Sequence, residues 1–455
     1  MLSTFKIDMP DEVTHLIDIL DWAGYDSYIV GGCVRDSFLD KTPHDWDICT
    51  AADPKKVLAI LDLHNIKSIE TGLQHGTVTA HIDGNNYEIT TFRIDGEYSD
   101  NRRPDSVRFV RDVKADLARR DFTINAMAYS AWEGLVDPFG GYTDLCQGII
   151  RCVGNPDDRF QEDALRILRA LRFAATYGFE IDNETAGAIR RNKDLLKNIS
   201  AERIQSELCK MLVGKGVLDI LLNYTDVMSV IIPELAPCIG FKQNNPHHRY
   251  DVYEHIVHAV TSYRDSRVDL SIKLALLFHD IGKPECYTED KNGVGHFYEH
   301  GIVSARIAED VLRRLKFDNK TVDEVVTLVL YHDADVHPKA RSVRRWLNKI
   351  GPTMLDKLLR VRCADIEAQG GHDTFERLAQ CAKVAIVLYN VLVQQQCFQI
   401  KDLAVNGHDI LRLGVEPGPK VGEVLNHLLN KVIEEELEND HAILIEEAEK
   451  YLNGE

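Results

Sequence analysis

The residues of this chain best suited to chemistry fall into two groups. The first is Gly31-Gly32-Cys33-Val34-Arg35-Asp36, followed by Asp45-Trp46-Asp47. Two glycines after the apolar run Tyr28-Ile29-Val30 let the backbone approach a ligand closely, and the N–H groups at the start of a following helix suit phosphate oxygens. Arg35, in the first turn, adds charge-assisted hydrogen bonds. Asp45 and Asp47 share a face if their segment is a strand. Two hard oxygen ligands on one face suit Mg2+ bridging a nucleoside triphosphate. Paired metals of that kind activate an attacking hydroxyl and stabilise a leaving pyrophosphate. Taken singly, the glycines fit an ordinary tight turn and the D-x-D a solvated strand edge; their combination points to chemistry. Neither segment matches a Walker A loop or a dinucleotide G-x-G-x-x-G fingerprint.

The second group is rich in histidine. An apolar stretch, Leu276-Leu277-Phe278, runs into His279-Asp280 and stops at Gly282 and Pro284. His255 lies upstream, and His300, His332 and Asp365 lie downstream. Imidazoles and carboxylates from separate helices can converge on a transition metal. Such a metal lowers the pKa of a bound water for phosphoester hydrolysis. Any one of these histidines alone fits a hydrogen-bonded core or surface residue.

Both groups need elements to position them. Apolar periodicity predicts a helix over 11–25, a buried strand at Tyr28–Val30, a helix over Val34–Leu39 and a second strand at Trp46–Cys49. Val78–Ile82 and Tyr87–Phe92, joined by Asp83-Gly84, read as a β-hairpin, with Glu88 as a possible third carboxylate or a plain surface residue. The segment Phe92–Pro104, with Gly96, Asn101 and Pro104, reads as a flexible loop. From about Gln161 the pattern is helical. A helix over Gln161–Ala175 would carry Asp163, Arg166, Arg169 and Arg172 around one side, beside Glu162. The alternative is a solvated ion-pair face. The fold class is therefore an α/β head with a small mixed sheet, followed by an all-α body and tail. The boundaries expected are 1–150 for the head, 151–240 for a helical neck, 241–370 for the histidine-rich part and 371–455 for a helical tail.

Val30–Asp36 with Asp45-Trp46-Asp47 resembles the first motif of class II tRNA nucleotidyltransferases and bacterial poly(A) polymerases. Arg119–Ala126, Asp137–Gly141 and Glu162-Asp163-Ala164-Leu165-Arg166 running on to Arg172 resemble their following motifs, in the same order. The resemblance implies a nucleotidyltransferase head with Asp45 and Asp47 as catalytic Mg2+ ligands. It implies nucleotide contacts from Gly32, Arg35, Arg120, Arg169 and Arg172, and base reading by Asp163 and Arg166. An Asp and an Arg side by side can hydrogen-bond the Watson–Crick edges of cytosine and adenine, so the protein would act as its own template. The loop at 92–104 resembles the one that lets CCA-adding enzymes pass from C to A. His255, His279, Asp280 and Asp365 resemble the ligand set of HD phosphohydrolases, with His300 and His332 at auxiliary positions. That implies a divalent transition metal and phosphatase or cyclic phosphodiesterase activity. Lys401–Gly422, with its G-P-x-x-G turn, resembles the family's RNA-binding tail. The partners implied are tRNA, CTP and ATP. Two relatives of this reading are an A-adding enzyme and a poly(A) polymerase. A reading of another class is an HD phosphohydrolase with an inactive head; the intact Asp45/Asp47 and Asp163/Arg166 argue against it.

Charge alone argues the other way. The 455 residues hold 53 Lys+Arg against 72 Asp+Glu, a net charge of -19. A nucleic-acid binder usually shows a basic surface. Locally the balance breaks apart: Arg102–Arg120 holds seven basic residues against three acidic, and Lys431–Glu455 two against nine. A one-sided basic surface around the triphosphate and RNA end is expected. The ten cysteines include no C-x-x-C pair, so a zinc ribbon is not expected. Met1–Pro10 lack the apolar core of a signal peptide, and no apolar run is long enough to span a bilayer, so a reducing cytoplasm is the expected compartment.

Overall fold

The computed structural model describes residues 6–96, 98, 106–244, 249–265, 267–371 and 373–454. The chain divides into two compact units, Met1–Pro233 and Glu234–Glu455. The first unit opens with α1 (Asp11–Trp22), β1 (Ser27–Val30), α2 (Gly32–Phe38), β2 (Ile48–Thr50), α3 (Pro54–Leu63), β3 (Lys67–Gly72), β4 (Thr77–Ile82) and β5 (Asn85–Thr91). It continues through β6 (Arg93–Asp95), β7 (Val107–Phe109), α4 (Val113–Ala118), β8 (Ala128–Ser130), β9 (Gly134–Val136), α5 (Gly141–Gln147) and β10 (Ile149–Ile150). The sheet order is β3-β4-β5-β2-β1-β8-β9. Its β2–β5 pair is parallel and the others are antiparallel. The β4–β5 hairpin turns on Asp83 (φ 50) and Gly84 (φ 84), the two positive φ values of a tight hairpin turn.

The strands nearest the Gly-Gly turn are short and apolar because both faces are covered. Tyr28, Val30, Cys49, Phe92, Leu117, Ala126, Ala128 and Val136 form one buried cluster beneath them. That core fixes where β1 ends and α2 begins. Two expectations are corrected here. The second strand starts at Ile48, so Asp45 and Asp47 lie in the lead-in to it. The lead-in still pairs with β1, since the Val30 N–H donates to the Asp47 carbonyl at 3.0 Å. The 92–104 segment is not all loop: β6 pairs antiparallel with β7 in a two-stranded ribbon. Residues 97 and 99–104 of that segment lie outside the described residues.

Helices then take over: α6 (Pro156–Glu162), α7 (Leu165–Tyr177), α8 (Asn183–Asn192), α9 (Ala201–Leu212), α10 (Val217–Asn223) and α11 (Thr225–Ile231), with β11 (Glu180–Ile181) parallel to β10. The expected single helix over Gln161–Ala175 is broken. Asp163 is extended (φ -139, ψ 102) between α6 and α7. Its carboxylate accepts the Leu165 N–H at 3.1 Å, so it closes one helix and opens the next. Within α7, Ile167, Leu168, Ala170, Leu171 and Ala174 are buried, while Arg166, Arg169 and Arg172 recur every three residues as a stripe.

The second unit is built from α12 (Val252–Ser262), α13 (Leu270–Phe278), α14 (Lys283–Cys286), a small β12–β13 hairpin (Thr288–Glu289, Gly295–His296), α15 (His300–Arg314) and α16 (Asn319–Tyr331). There follow α17 (Ala340–Gln369), broken at Gly351-Pro352, then α18 (Thr374–Val393), α19 (Gly407–Arg412), α20 (Pro419–Ile433) and α21 (His441–Asn453). The segment from Cys397 onward packs its own apolar cluster around Val405, Ile410, Val424, Leu428 and Leu444. Among the described residues, no helix is long and apolar enough to cross a membrane.

Candidate active site

The Gly-Gly turn places its strictest demand on Gly31. Its φ of +79 is one that side chains avoid, and a Cβ there would meet Arg120 Nη1 at 2.7 Å. Gly32, the expected contact, is the first residue of α2 with ordinary φ. Arg120 is thereby drawn against the turn. Its Nη2 lies 3.6 Å from Asp116, and its buried Nε makes no hydrogen bond among the described residues. Arg120 also lowers the pKa of Asp47, against the upward push of burial and of Asp45. The net shift of Asp47 is upward. Glu88 is raised as well, by burial, by Asp47 and by Asp45. Three carboxylates thus share one field, and their mutual repulsion is what a divalent cation relieves. The donor set is all oxygen and fits Mg2+.

Arg35 is 7% exposed. It donates to Asn125 Oδ1 at 2.5 Å and to Asp36 at 3.0 Å, and its guanidinium lies 5.1 Å from the ring centroids of Phe173 and Tyr177. Arg35 therefore ties α2 to the Arg119–Ala126 segment and to α7.

Asp163, Arg166, Arg169 and Arg172 each come with an acidic or basic partner, several of them unassigned from sequence. Asp163 pairs with Arg203 on α9 at 2.8 Å. Arg166 pairs with Glu162 at 2.7 Å and donates to the Arg119 carbonyl at 3.0 Å. Arg169 pairs with Asp121 at 2.6 Å, and Arg172 with Glu207 at 2.5 Å. Asp121 is buried, yet Arg169 and the Asn125 amide hold it well below the usual carboxylate range. Asp116 receives Arg119 at 2.8 Å and the Arg93 N–H at 3.2 Å, and Asp95 of the β6–β7 ribbon receives Arg93 at 3.0 Å and Tyr98 at 2.9 Å. A continuous polar network therefore runs from the ribbon base to α7. Asp116, Asp121 and Asn125 stood inside or beside a motif and could be suspected from it. Arg203 and Glu207 lie on another helix and left no sequence signal.

In the second unit, the histidine cluster is brought together. His255 Nε2 lies 2.9 Å from Asp365, 3.2 Å from Asp280 and 3.1 Å from His279 Nε2. On the other side of Asp280, His300 and His332 approach its Oδ1 at 3.3 and 3.6 Å, and each other at 3.1 Å. Three of the rings are anchored by the opposite nitrogen. His279, His300 and His332 each place Nδ1 on the carbonyl three residues earlier, at 2.8, 2.8 and 2.7 Å. That leaves Nε2 aimed inward, which is the outer-shell arrangement of metal-ligating histidines. Two groups fit an ion: His255, His279 and Asp280, and Asp280, His300 and His332. Asp365 faces the first of them. Burial would lower the His279 pKa, but Asp280 and Asp365 raise it to about 10. Asp280 and Asp365 lie well below the usual range. The mixed nitrogen and oxygen donors suit a divalent transition ion.

Three family models match: the Poly A polymerase head domain over residues 27–151, the "Probable RNA and SrmB- binding site of polymerase A" over 178–239, and tRNA nucleotidyltransferase domain 2 over 300–448. The CCA-adding enzyme of Limosilactobacillus fermentum is 33% identical over 452 residues, 96% of either chain. The chain belongs to the CCA-adding enzyme family. It is accordingly a nucleotidyltransferase, and enzymes of this family use divalent metal ions. The structure of the Bacillus stearothermophilus CCA-adding enzyme in complex with CTP is 30% identical, covers 98% of this chain and 99% of its own, and superposes with a TM-score of 0.69. A Thermotoga maritima CCA-adding enzyme complexed with tRNA shares the fold at 20% identity and a TM-score of 0.61. The expected head of mixed sheet followed by a helical body is the fold of this family.

Proposed function

We propose that the chain adds or repairs the 3′-terminal CCA of tRNA, using CTP and ATP and releasing pyrophosphate. The observation that carries this is that one unit holds two features: Asp45, Asp47 and Glu88 in one electrostatic field, with Arg120 acting on Asp47, and Asp163 and Arg166 flanking the start of α7. Asp45 and Asp47 would hold Mg2+, which when bound activates the 3′-hydroxyl and neutralises the leaving pyrophosphate. Gly31 keeps the turn open, so that Gly32 and Arg120 face the triphosphate. Arg35 holds α2 in place. Asp163 offers acceptors and Arg166 donors to the edge of the incoming base, and Arg169 and Arg172 line the nucleotide along the same stripe. The full-length 92–104 segment supports progress from C to A. The division of labour runs along the chain as head (1–150), nucleotide-reading neck (151–240), metal-binding part (241–370) and tRNA-binding tail (371–455), in a cytoplasmic enzyme.

The test is direct. Supply Mg2+ and tRNA lacking CCA, ending in CC, or complete, with CTP, ATP or both. Addition of C, C and A, then arrest, is expected. A-only extension would make the chain an A-adding enzyme, and long A tracts on arbitrary RNA a poly(A) polymerase. Asp45→Ala with Asp47→Ala should abolish incorporation; retained incorporation refutes the metal assignment.

The inward-facing imidazoles around Asp280 favour a second activity, HD-type metal-dependent phosphohydrolysis, with His255, His279, Asp280 and Asp365 as ligands and His300 and His332 beside them. Phosphate release from cyclic-phosphate RNA ends, surviving loss of the head carboxylates, is its test.

A further inference from the structure

Beside the histidine cluster lies a cavity of about 330 Å3, whose lining includes Asp280, His300, His332 and Asp365 together with the segment His296–Glu299. That segment is held firmly. Glu299 takes a left-handed φ of +61, uncommon for a side-chain-bearing residue, and His300 Nδ1 is bound to the Phe297 carbonyl at 2.8 Å. Phe297 packs on Tyr287, ring centroids 5.6 Å apart, and lies 5.2 Å from Lys283 Nζ. The rings on either side of Phe297 do something different. His296 and Tyr298 stack on each other, centroids 5.4 Å apart and planes within 10°. Tyr298 is 71% exposed. A single exposed tyrosine needs no explanation. A preformed stack on the rim of a cavity that ends in phosphate-directed chemistry is a different object, because flat aromatic faces beside a phosphate site are how proteins hold a nucleobase without reading its sequence.

We propose that His296 and Tyr298 form a base platform, so that the histidine-cluster site acts on phosphoesters carrying a nucleobase in preference to base-free ones. Either a mononucleotide or an RNA 3′ end supplies that chemistry. The inference rests on the phosphohydrolase reading of this site. Removing one stacking ring should weaken nucleotide recognition about five- to hundredfold.

The experiment compares wild type, Tyr298→Ala and Tyr298→Phe, loaded with Mn2+ or Ni2+. Substrates are adenosine 2′,3′-cyclic phosphate, a short RNA ending in a 2′,3′-cyclic phosphate, and the base-free glycerol 1,2-cyclic phosphate. Tyr298→Ala should raise KM for the base-carrying esters about five- to hundredfold with kcat little changed. Tyr298→Phe should retain the wild-type KM, and hydrolysis of the glycerol ester should be unaffected. Whichever of mononucleotide and RNA shows the larger loss identifies the source. A second arm needs no turnover: binding of adenosine 3′-phosphate to chelator-treated protein, followed by saturation-transfer NMR, should weaken in Tyr298→Ala. Equal KM for Tyr298→Ala and wild type, or equal binding in the second arm, overturns the platform. If wild type hydrolyses none of the three esters, the phosphohydrolase reading falls, and the binding arm still decides whether the platform exists.

Discussion

Asp163 owes its orientation to a residue forty positions away. Arg203 Nη2 lies 2.8 and 3.2 Å from its two carboxylate oxygens, and the Leu165 N–H lies 3.1 Å from Oδ1. The two side chains are 17% and 23% exposed. Arg203→Ala leaves a shielded carboxylate held by one backbone N–H. Hydrogen bonds to charged groups contribute about 1.5–3 kcal/mol in proteins. Partial exposure places this pair near the lower end, at about 1.5–2 kcal/mol, or roughly ten- to thirtyfold. If Asp163 reads the base edge, the loss falls on choice rather than on grip. The ratio of kcat/KM for CTP over ATP, on tRNA lacking CCA, should drop by about tenfold or more, while tRNA Kd stays within about twofold. Single-turnover incorporation of labelled CTP or ATP gives the ratio, and filter binding gives the Kd. A cycle with Asp163→Asn should show strong non-additivity, since both changes break the same contact. Unchanged discrimination in Arg203→Ala, or additive effects in the cycle, would refute the reasoning.

Other outcomes are equally open to measurement. Gly31→Ala forces a side chain into a positive φ and against Arg120; it should cost about 1–3 kcal/mol of stability, read from urea unfolding, and raise KM for nucleotide. Lys273 is buried, donates to the Val260 and Tyr263 carbonyls at the end of α12, and is lowered by burial to about 8 from the ordinary 10.5. Between those two pH values the unfolded chain holds a proton that the folded chain has released, so this site's contribution to unfolding free energy rises with pH. Wild-type stability minus that of Lys273→Met should rise from pH 8 to pH 10 in urea melts; a constant difference removes the claim. His332→Ala should lower bound divalent metal per chain by elemental analysis and leave CTP incorporation at the head unchanged.

Much of the head was legible because its signals are local. An apolar strand, a glycine turn, a short helix and a D-x-D lead-in follow one another within about two dozen residues, and the Asp83-Gly84 hairpin carries its own turn chemistry. What escaped was of two kinds. Asp163 interrupts a stretch with no Gly or Pro, so periodicity ran straight through it; the clue was its type, an Asp able to cap the next helix. The ion pairs to Arg203 and Glu207 depend on α7 and α9 lying together, and nothing in either helix names the other. The same holds for the histidines. Their residue types suggested a metal, but the anchoring of three Nδ1 atoms by backbone carbonyls appears only once the helix ends are in place.

Asp280 faces one histidine group through each of its carboxylate oxygens. A single rotatable side chain therefore serves both candidate ion positions. An ion in either one would restrain the torsion of that carboxylate, and the change in affinity this imposed on the other would be the same factor in each direction. The two positions are thermodynamically one object, and a substitution designed to empty one of them will be felt at its neighbour.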